Sequence, residues 1–260
     1  MSTQSARVLL TVAQATAREA ISARLLWPVL AVLTALFALT EFVGETAITE
    51  STETKAALFG ASMRVFAVVF VALFVSTSML RELNDKGFEL LLALAISRSV
   101  YYFGKWLGYS LVAVTLAMIV AGCLVLYAPP VQVAIWGGSL ACELLIVAAA
   151  SLLCLFTLSQ VTSALSSVLA FYFLARVIDA VQLMGAHPVA ATGALGQRVL
   201  AIVVDLLAYL LPDLYRYTRS QWLMYHTAAW PDLLPIAGQT AVYLTLLVAA
   251  GLFDLYRKNL

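Results

Sequence analysis

An all-α, polytopic membrane protein with six transmembrane helices is what the sequence predicts, and three observations carry that reading. The chain is 63% hydrophobic and only 11% charged over 260 residues, where soluble domains carry roughly 25% charged residues. Its apolar stretches are long and continuous and do not alternate with period two, which favours helical spans over a β-barrel. Its charges gather in a few places, most densely in RELNDKGFELLLALAISRSVYYFGK over 81–105. That stretch lies between two apolar runs long enough to cross a bilayer, which takes about 20 residues.

Composition also removes several classes of function. The formal net charge is +1 and no basic patch with interleaved aromatics occurs, so no nucleic-acid partner is expected. Cys123, Cys142 and Cys154 fall inside apolar segments without CxxC spacing, which indicates neither a disulfide framework nor a zinc site. With Met118 they are read as packing residues and not as a soft-metal path. The polar N-terminus lacks an early apolar region, so no cleaved signal peptide is expected and the first span directs insertion.

In chain order, residues 5–24 have helical periodicity. Arg7, Thr11, Gln14, Arg18 and Ser22 form a polar stripe opposite Leu10, Ala13, Ala17 and Ile21, with Arg24 closing the segment. This is an interfacial helix, basic on its wet side. The first span, 25–43, has Trp27 at its near interface and Pro28 in its first turn, where a missing N–H costs least. Residues 44–60 read as a polar, acidic loop with Glu45, Glu50 and Glu53. The second span, 61–80, is interrupted by Arg64, whose guanidinium either snorkels to the headgroups or faces a substrate path.

Residues 81–98 predict a short amphipathic helix outside the hydrocarbon. Its front carries Arg81, Glu82, Asp85, Lys86 and Glu89, and its apolar back ends at Ser97-Arg98. Such a helix lies at the membrane surface and touches something in the water. Tyr101, Tyr102, Lys105 and Trp106 form an aromatic and basic belt at the start of the third span, 102–127, and Gly104 and Gly108 allow close helix packing there. Ala128-Pro129-Pro130 ends that span.

The fourth span, 135–158, contains Glu143, either a functional ionisable group or a hydrogen-bonded structural one. The fifth, 161–178, has a small, mildly polar face with Ser163 and Ser167 that packs closely on a neighbour or lines a wet cavity. Arg176 and Asp179 at its end are spaced to pair. Residues 184–234 hold an apolar stretch too short to span, then Pro212 and an aromatic-rich run from Tyr215 to Trp230. These predict re-entrant or interfacial helices along the far interface. The sixth span is 235–253. Six spans place both termini on one side, and nine of the fifteen Lys and Arg residues fall there, which orients both termini to the cytoplasm.

The chain resembles the permease subunits of type-2 ABC exporters. The residues that carry the resemblance are the helix before the first span, Arg81-Glu82 after the second, then Gly87-Phe88-Glu89-Leu90-Leu91-Leu92, Ile96-Ser97-Arg98 and Gly104-Lys105-Trp106-Leu107-Gly108. The nearest subgroup is the membrane part of the nitrous-oxide-reductase maturation and gliding-motility exporters. Here Leu92-Ala93-Leu94-Ala95 lacks the proline many relatives have near that point.

The resemblance implies a single permease domain over 1–260, acting as a homodimer in the lipids of a bacterial inner membrane. Residues 81–98 would be a coupling helix docked on a cytoplasmic ATPase through Arg81, Glu82, Asp85, Lys86, Glu89 and Arg98. Arg7, Arg18 and Arg24 would mark an elbow helix beside the same partner. Arg64, Glu143, Ser163 and Ser167 are the candidate residues of the translocation path. The chain contains no GxxxxGK[ST], so two copies of a separate ATPase would hold ATP and Mg, and this chain needs no cofactor.

Three rival readings are weighed. An enzyme finds little support, since His187 and His226 form no HExxH and no GxSxG is present. An ATP-independent secondary transporter would use Glu143 and Arg64, with Arg176 and Asp179, to couple ions. It leaves the 81–98 helix without a role. A scaffold that only recruits a cytoplasmic partner would use that helix but not the polar fifth span.

Overall fold

The computed structural model describes residues 3–22, 26–46, 51–84, 97–186 and 194–257, and their regular structure is helical throughout. The helices are α1 (Thr3–Ser22), α2 (Leu26–Thr46), α3 (Ser51–Asn84), α4 (Arg98–Leu124), α5 (Pro130–Leu158), α6 (Val161–Ala186), α7 (Ala194–Leu210), the short α8 (Ser220–Met224) and α9 (Leu233–Arg257). Single 3-10 turns at Leu214–Arg216 and Trp230–Asp232 flank α8. Six helices, α2 to α6 and α9, are long and apolar enough to cross a membrane. This is a multi-pass membrane architecture in which α1 and the end of α9 both lie near the start of α4.

The bundle is organised around α5, which packs against α3, α4, α6 and α9. Pro130 begins it, where a proline lacks nothing the first turn needs. Ser159 ends it in the left-handed region at φ 58°, its N–H returning to the Leu155 carbonyl. Helices come close here because α5 is rich in small residues. A Cβ on Gly137 would lie 2.7 Å from Cβ of Ala121 on α4. Large side chains such as Trp136, Leu140 and Leu144 are fully enclosed. By contrast, α2 packs mainly on α3, and α7 mainly on α6.

Several boundaries depart from the sequence reading. The expected loop over 44–60 is mostly helix, because α2 continues to Thr46 and α3 already begins at Ser51. Ala56 and Phe59 are buried there, and Lys55 pairs with Glu41 at 2.5 Å, so the first turns of α3 have a core side and an anchor. Tyr127 donates to the same carboxylate at 2.7 Å. At the other end α3 runs past residue 80 to Asn84, and α4 already starts at Arg98. The ends of the expected 81–98 helix therefore belong to the flanking spans, and its middle, 85–96, lies outside the described residues. The fifth span also continues, to Ala186 instead of 178.

Candidate functional site

Two polar centres stand out, one at the end of the bundle where α1 lies and one reaching inward from the opposite side. At the first of these, α1 is laid against the start of α4. Gly104 and Gly108 make the approach possible, since a Cβ on Gly104 would meet Val12 Cβ at 2.9 Å and one on Gly108 would meet Thr16 Cβ at 2.6 Å. Polar contacts then fasten the group. Ser78 of α3 donates to Glu19 Oε1 of α1 at 2.9 Å and shares a hydrogen bond with the Tyr109 hydroxyl of α4 at 3.1 Å. Lys105, only 6% exposed, forms an ion pair with Glu82 at the end of α3. Arg98 donates to the Leu255 carbonyl of α9 at 3.4 Å. The two helices that flank residues 85–96 are thus tied to each other, to α1 and to α9.

The second centre surrounds Glu143, which is wholly buried near the middle of α5. Tyr172 of α6 donates to its Oε1 at 2.7 Å, and Thr218 donates to its Oε2 at 2.8 Å. Arg176, one turn beyond Tyr172, lies 3.6 Å from Oε1. Tyr172 and Arg176 share a face because they are four apart on a helix.

Thr218 belongs to the segment between α7 and α9 and has φ 43°, a conformation that a β-branched residue rarely adopts. Its surroundings hold it there. Its N–H donates to Ser139 Oγ at 3.0 Å, its carbonyl accepts from Arg64 at 3.3 Å, and its hydroxyl also accepts from Arg176 at 3.3 Å. Arg176 further donates to the carbonyls of Leu214 and Tyr217 at 2.5 and 3.1 Å.

The same segment is fixed twice more. Gln132, nearer the start of α5, donates to the carbonyls of His226 and Ala228 at 3.0 and 3.2 Å and accepts from the Ala228 N–H at 3.0 Å. Tyr217 bonds Thr240 at 2.9 Å and the Ile236 carbonyl at 3.2 Å. Burial pushes its hydroxyl up to about 12, so it serves as a neutral donor.

Among the expected path residues, Arg64 and Glu143 are brought together through Thr218, while Ser163 and Ser167 are not part of this group. Ser163 donates to the Gln160 carbonyl at the opposite end of α6 from Arg176. Arg64 does not snorkel outward but turns inward, and its Nε is buried without a hydrogen-bond partner. Arg176 and Asp179 do not pair as expected, because Arg176 faces Glu143 and the loop carbonyls.

The coupling candidates divide in the same way. Arg81 is exposed, Glu82 faces Lys105 and Arg98 faces α9, whereas Asp85, Lys86 and Glu89 lie outside the described residues. Arg7 and Arg18 are exposed on α1, and Arg24 lies outside the described residues. Among the described residues no three His, Cys, Asp or Glu side chains converge as a metal site. Sequence reasoning missed Gln132, Ser139, Tyr172 and Thr218. A buried carboxylate demands donors, and the residues four positions apart at Tyr172 and Arg176 were the accessible clue.

A comparison with protein-family models finds no match for this chain, and neither does a comparison with curated protein sequences.

Proposed function

We propose that the chain is the membrane-spanning subunit of an ATP-driven exporter of the type-2 ABC class, working as a homodimer with a separate cytoplasmic ATPase. The observation that supports this most is the fastening of α1, α3 and α4 around the roots of residues 85–96. A segment that receives a push from a partner transmits it only if its mount is stiff. Here the Glu82–Lys105 pair joins the two flanking helices, and Glu19, Ser78 and Tyr109 add α1 to the same body.

A displacement of that body has a route to the other end of the bundle. Arg64 lies on α3 about five turns, roughly 27 Å, from Glu82 and on the same face. Arg64 holds the Thr218 carbonyl. A tilt of α3 would therefore load the Thr218 segment, which in this reading would serve as the gate on the outer side. The inner-membrane location with cytoplasmic termini follows from the same reading.

The test is purification of the tagged protein from its host in mild detergent, with identification of co-purifying proteins and an ATP hydrolysis assay. The docking variant is Arg81→Glu with Glu89→Arg, because Glu82 is committed to Lys105 within the chain. Loss of an ATPase that accompanies the wild type supports the proposal. Absence of any ATP-hydrolysing partner across several detergents refutes it.

The secondary-transporter alternative draws on Glu143 and Arg64. Against it, both carboxylate oxygens of Glu143 are filled by donors from within the chain, whereas a coupling carboxylate must exchange ions with water. Ion-coupled uptake in liposomes by the chain alone, abolished in Glu143→Gln, would decide for that alternative.

A further inference from the structure

A cavity of about 350 Å³ opens on the side of the bundle away from α1, between α6, the Thr218 segment and the start of α9. Its walls carry the carboxylates of Asp179 and Asp232, the guanidinium groups of Arg216 and Arg219, and the rings of Tyr215 and Trp222. We propose that it binds a zwitterionic head group in which an ammonium and a phosphate lie a few bonds apart, the chemistry of phosphoethanolamine.

The charges on these walls are not all paired within the chain. Arg216 is committed to an ion pair with Asp213, whereas Arg219, which also lines the cavity, has no ion pair among the described residues. An unpaired guanidinium calls for an anionic oxygen, and phosphate matches its fork. On the acidic side, Asp179 and Asp232 line the same cavity without an ion pair among the described residues, and an ammonium would balance them. Tyr215 and Trp222 also line the cavity, and aromatic rings favour a nearby cation.

The position suits a lipid as the source. Pro235 and Ile236 complete the wall, and Tyr215, Trp230 and Leu234 are exposed around the site, next to the start of a membrane-spanning helix. Exposed aromatic residues at such a place lie at headgroup level. The inference is independent of the ATPase reading, since binding is measured on this chain alone.

The experiment is native mass spectrometry of the full chain released from nanodiscs containing equal amounts of phosphatidylethanolamine and phosphatidylglycerol. The expected result is selective retention of phosphatidylethanolamine. Arg219→Gln and Asp179→Asn should each lower that selectivity by roughly tenfold, as for the loss of a charge-assisted hydrogen bond, while Arg257→Gln leaves it unchanged. Only monodisperse protein is compared. If Arg219→Gln does not fold, Arg219→Lys, which keeps the charge and loses the fork, should give a partial decrease.

Competition by water-soluble glycerophosphoethanolamine would support recognition of the head group alone. Retention of the lipid despite that competitor would support a lipid held by head group and chains together. Equal retention of the two lipids, or unchanged selectivity in folded Arg219 and Asp179 variants, overturns the proposal.

Discussion

Replacing Glu143 with glutamine keeps the shape of the side chain and removes one charge from a wholly enclosed polar site. Its magnitude can be worked from the geometry. Arg176 lies 3.6 Å from Oε1, which at an effective dielectric near 20 corresponds to about 5 kcal/mol of attraction. Not all of it is lost in the variant. Arg176 keeps the carbonyls of Leu214 and Tyr217 at 2.5 and 3.1 Å, and its side chain is 17% exposed and partly screened.

The hydroxyls add a second cost. Tyr172 and Thr218 both donate to the carboxylate, and an amide accepts from one of them while presenting N–H to the other. One hydroxyl must therefore rotate. The net expectation is a loss of about 2–4 kcal/mol, just below the usual cost of removing one member of a buried pair. Reversible unfolding in mixed micelles by titration with dodecyl sulfate measures it. The double variant Glu143→Gln with Arg176→Gln should recover about 1–3 kcal/mol relative to the sum of the single changes, because no charge is then stranded. A loss under about 0.5 kcal/mol for Glu143→Gln, or strict additivity in the cycle, would refute the reasoning.

Three further outcomes follow from individual contacts. Gly108→Leu should detach α1 from α4, since its Cβ would already lie 2.6 Å from Thr16 Cβ and 3.0 Å from the Ala13 carbonyl. Hydrogen exchange over 9–19 should then speed up, while Gly122→Leu, with nothing within 4 Å of its Cβ, should leave it unchanged. At the other pair the two single changes should differ in cost. Glu82→Gln strands Lys105, whose side chain is 8% exposed, and should cost about 2–3 kcal/mol, while Lys105→Met leaves Glu82, 22% exposed, nearer to water and should cost less. Equal losses in unfolding experiments would contradict this asymmetry. Gln132→Ala removes partners from the Ala228 N–H and from two carbonyls and should cost about 1–3 kcal/mol. Limited proteolysis near residues 225–229 should become faster, and an unchanged cleavage rate would count against the clamp.

The spans were legible because the energetics of burying backbone in hydrocarbon are coarse. Long apolar runs must be helices, and Pro129-Pro130 must interrupt them, whatever the tertiary structure. Local boundaries depended on finer matters. The segment 44–60 reads as acidic and polar, yet Lys55 of α3 pairs with Glu41 of α2 and Ala56 and Phe59 are buried in the core, so helix reaches further into the segment from both sides. Gly104 and Gly108 signal a close approach without saying which helix makes it, and the partner proves to be α1, nearly a hundred residues earlier in the chain. Glu82 resembles an outward charge in sequence because nothing local reveals that Lys105 sits over it.

The same reasoning accounts for the charges inside the spans. Each of Arg64, Glu143 and Arg176, read alone, poses the question of what satisfies it, and the aromatic-rich segment before α9 poses the opposite question. Its backbone is largely irregular, and irregular backbone among membrane helices is tolerated only where protein supplies the missing hydrogen bonds. The two questions answer each other. Arg176 takes the carbonyls of Leu214 and Tyr217, Arg64 takes that of Thr218, Ser139 and Gln132 take N–H groups, and Glu143 takes the hydroxyl that fixes the left-handed turn. The nearest of these contacts joins residues 38 positions apart and the farthest 154. A sequence window long enough to find a helix is too short to find its partner, which is why the charges were visible in the sequence and their purpose was not.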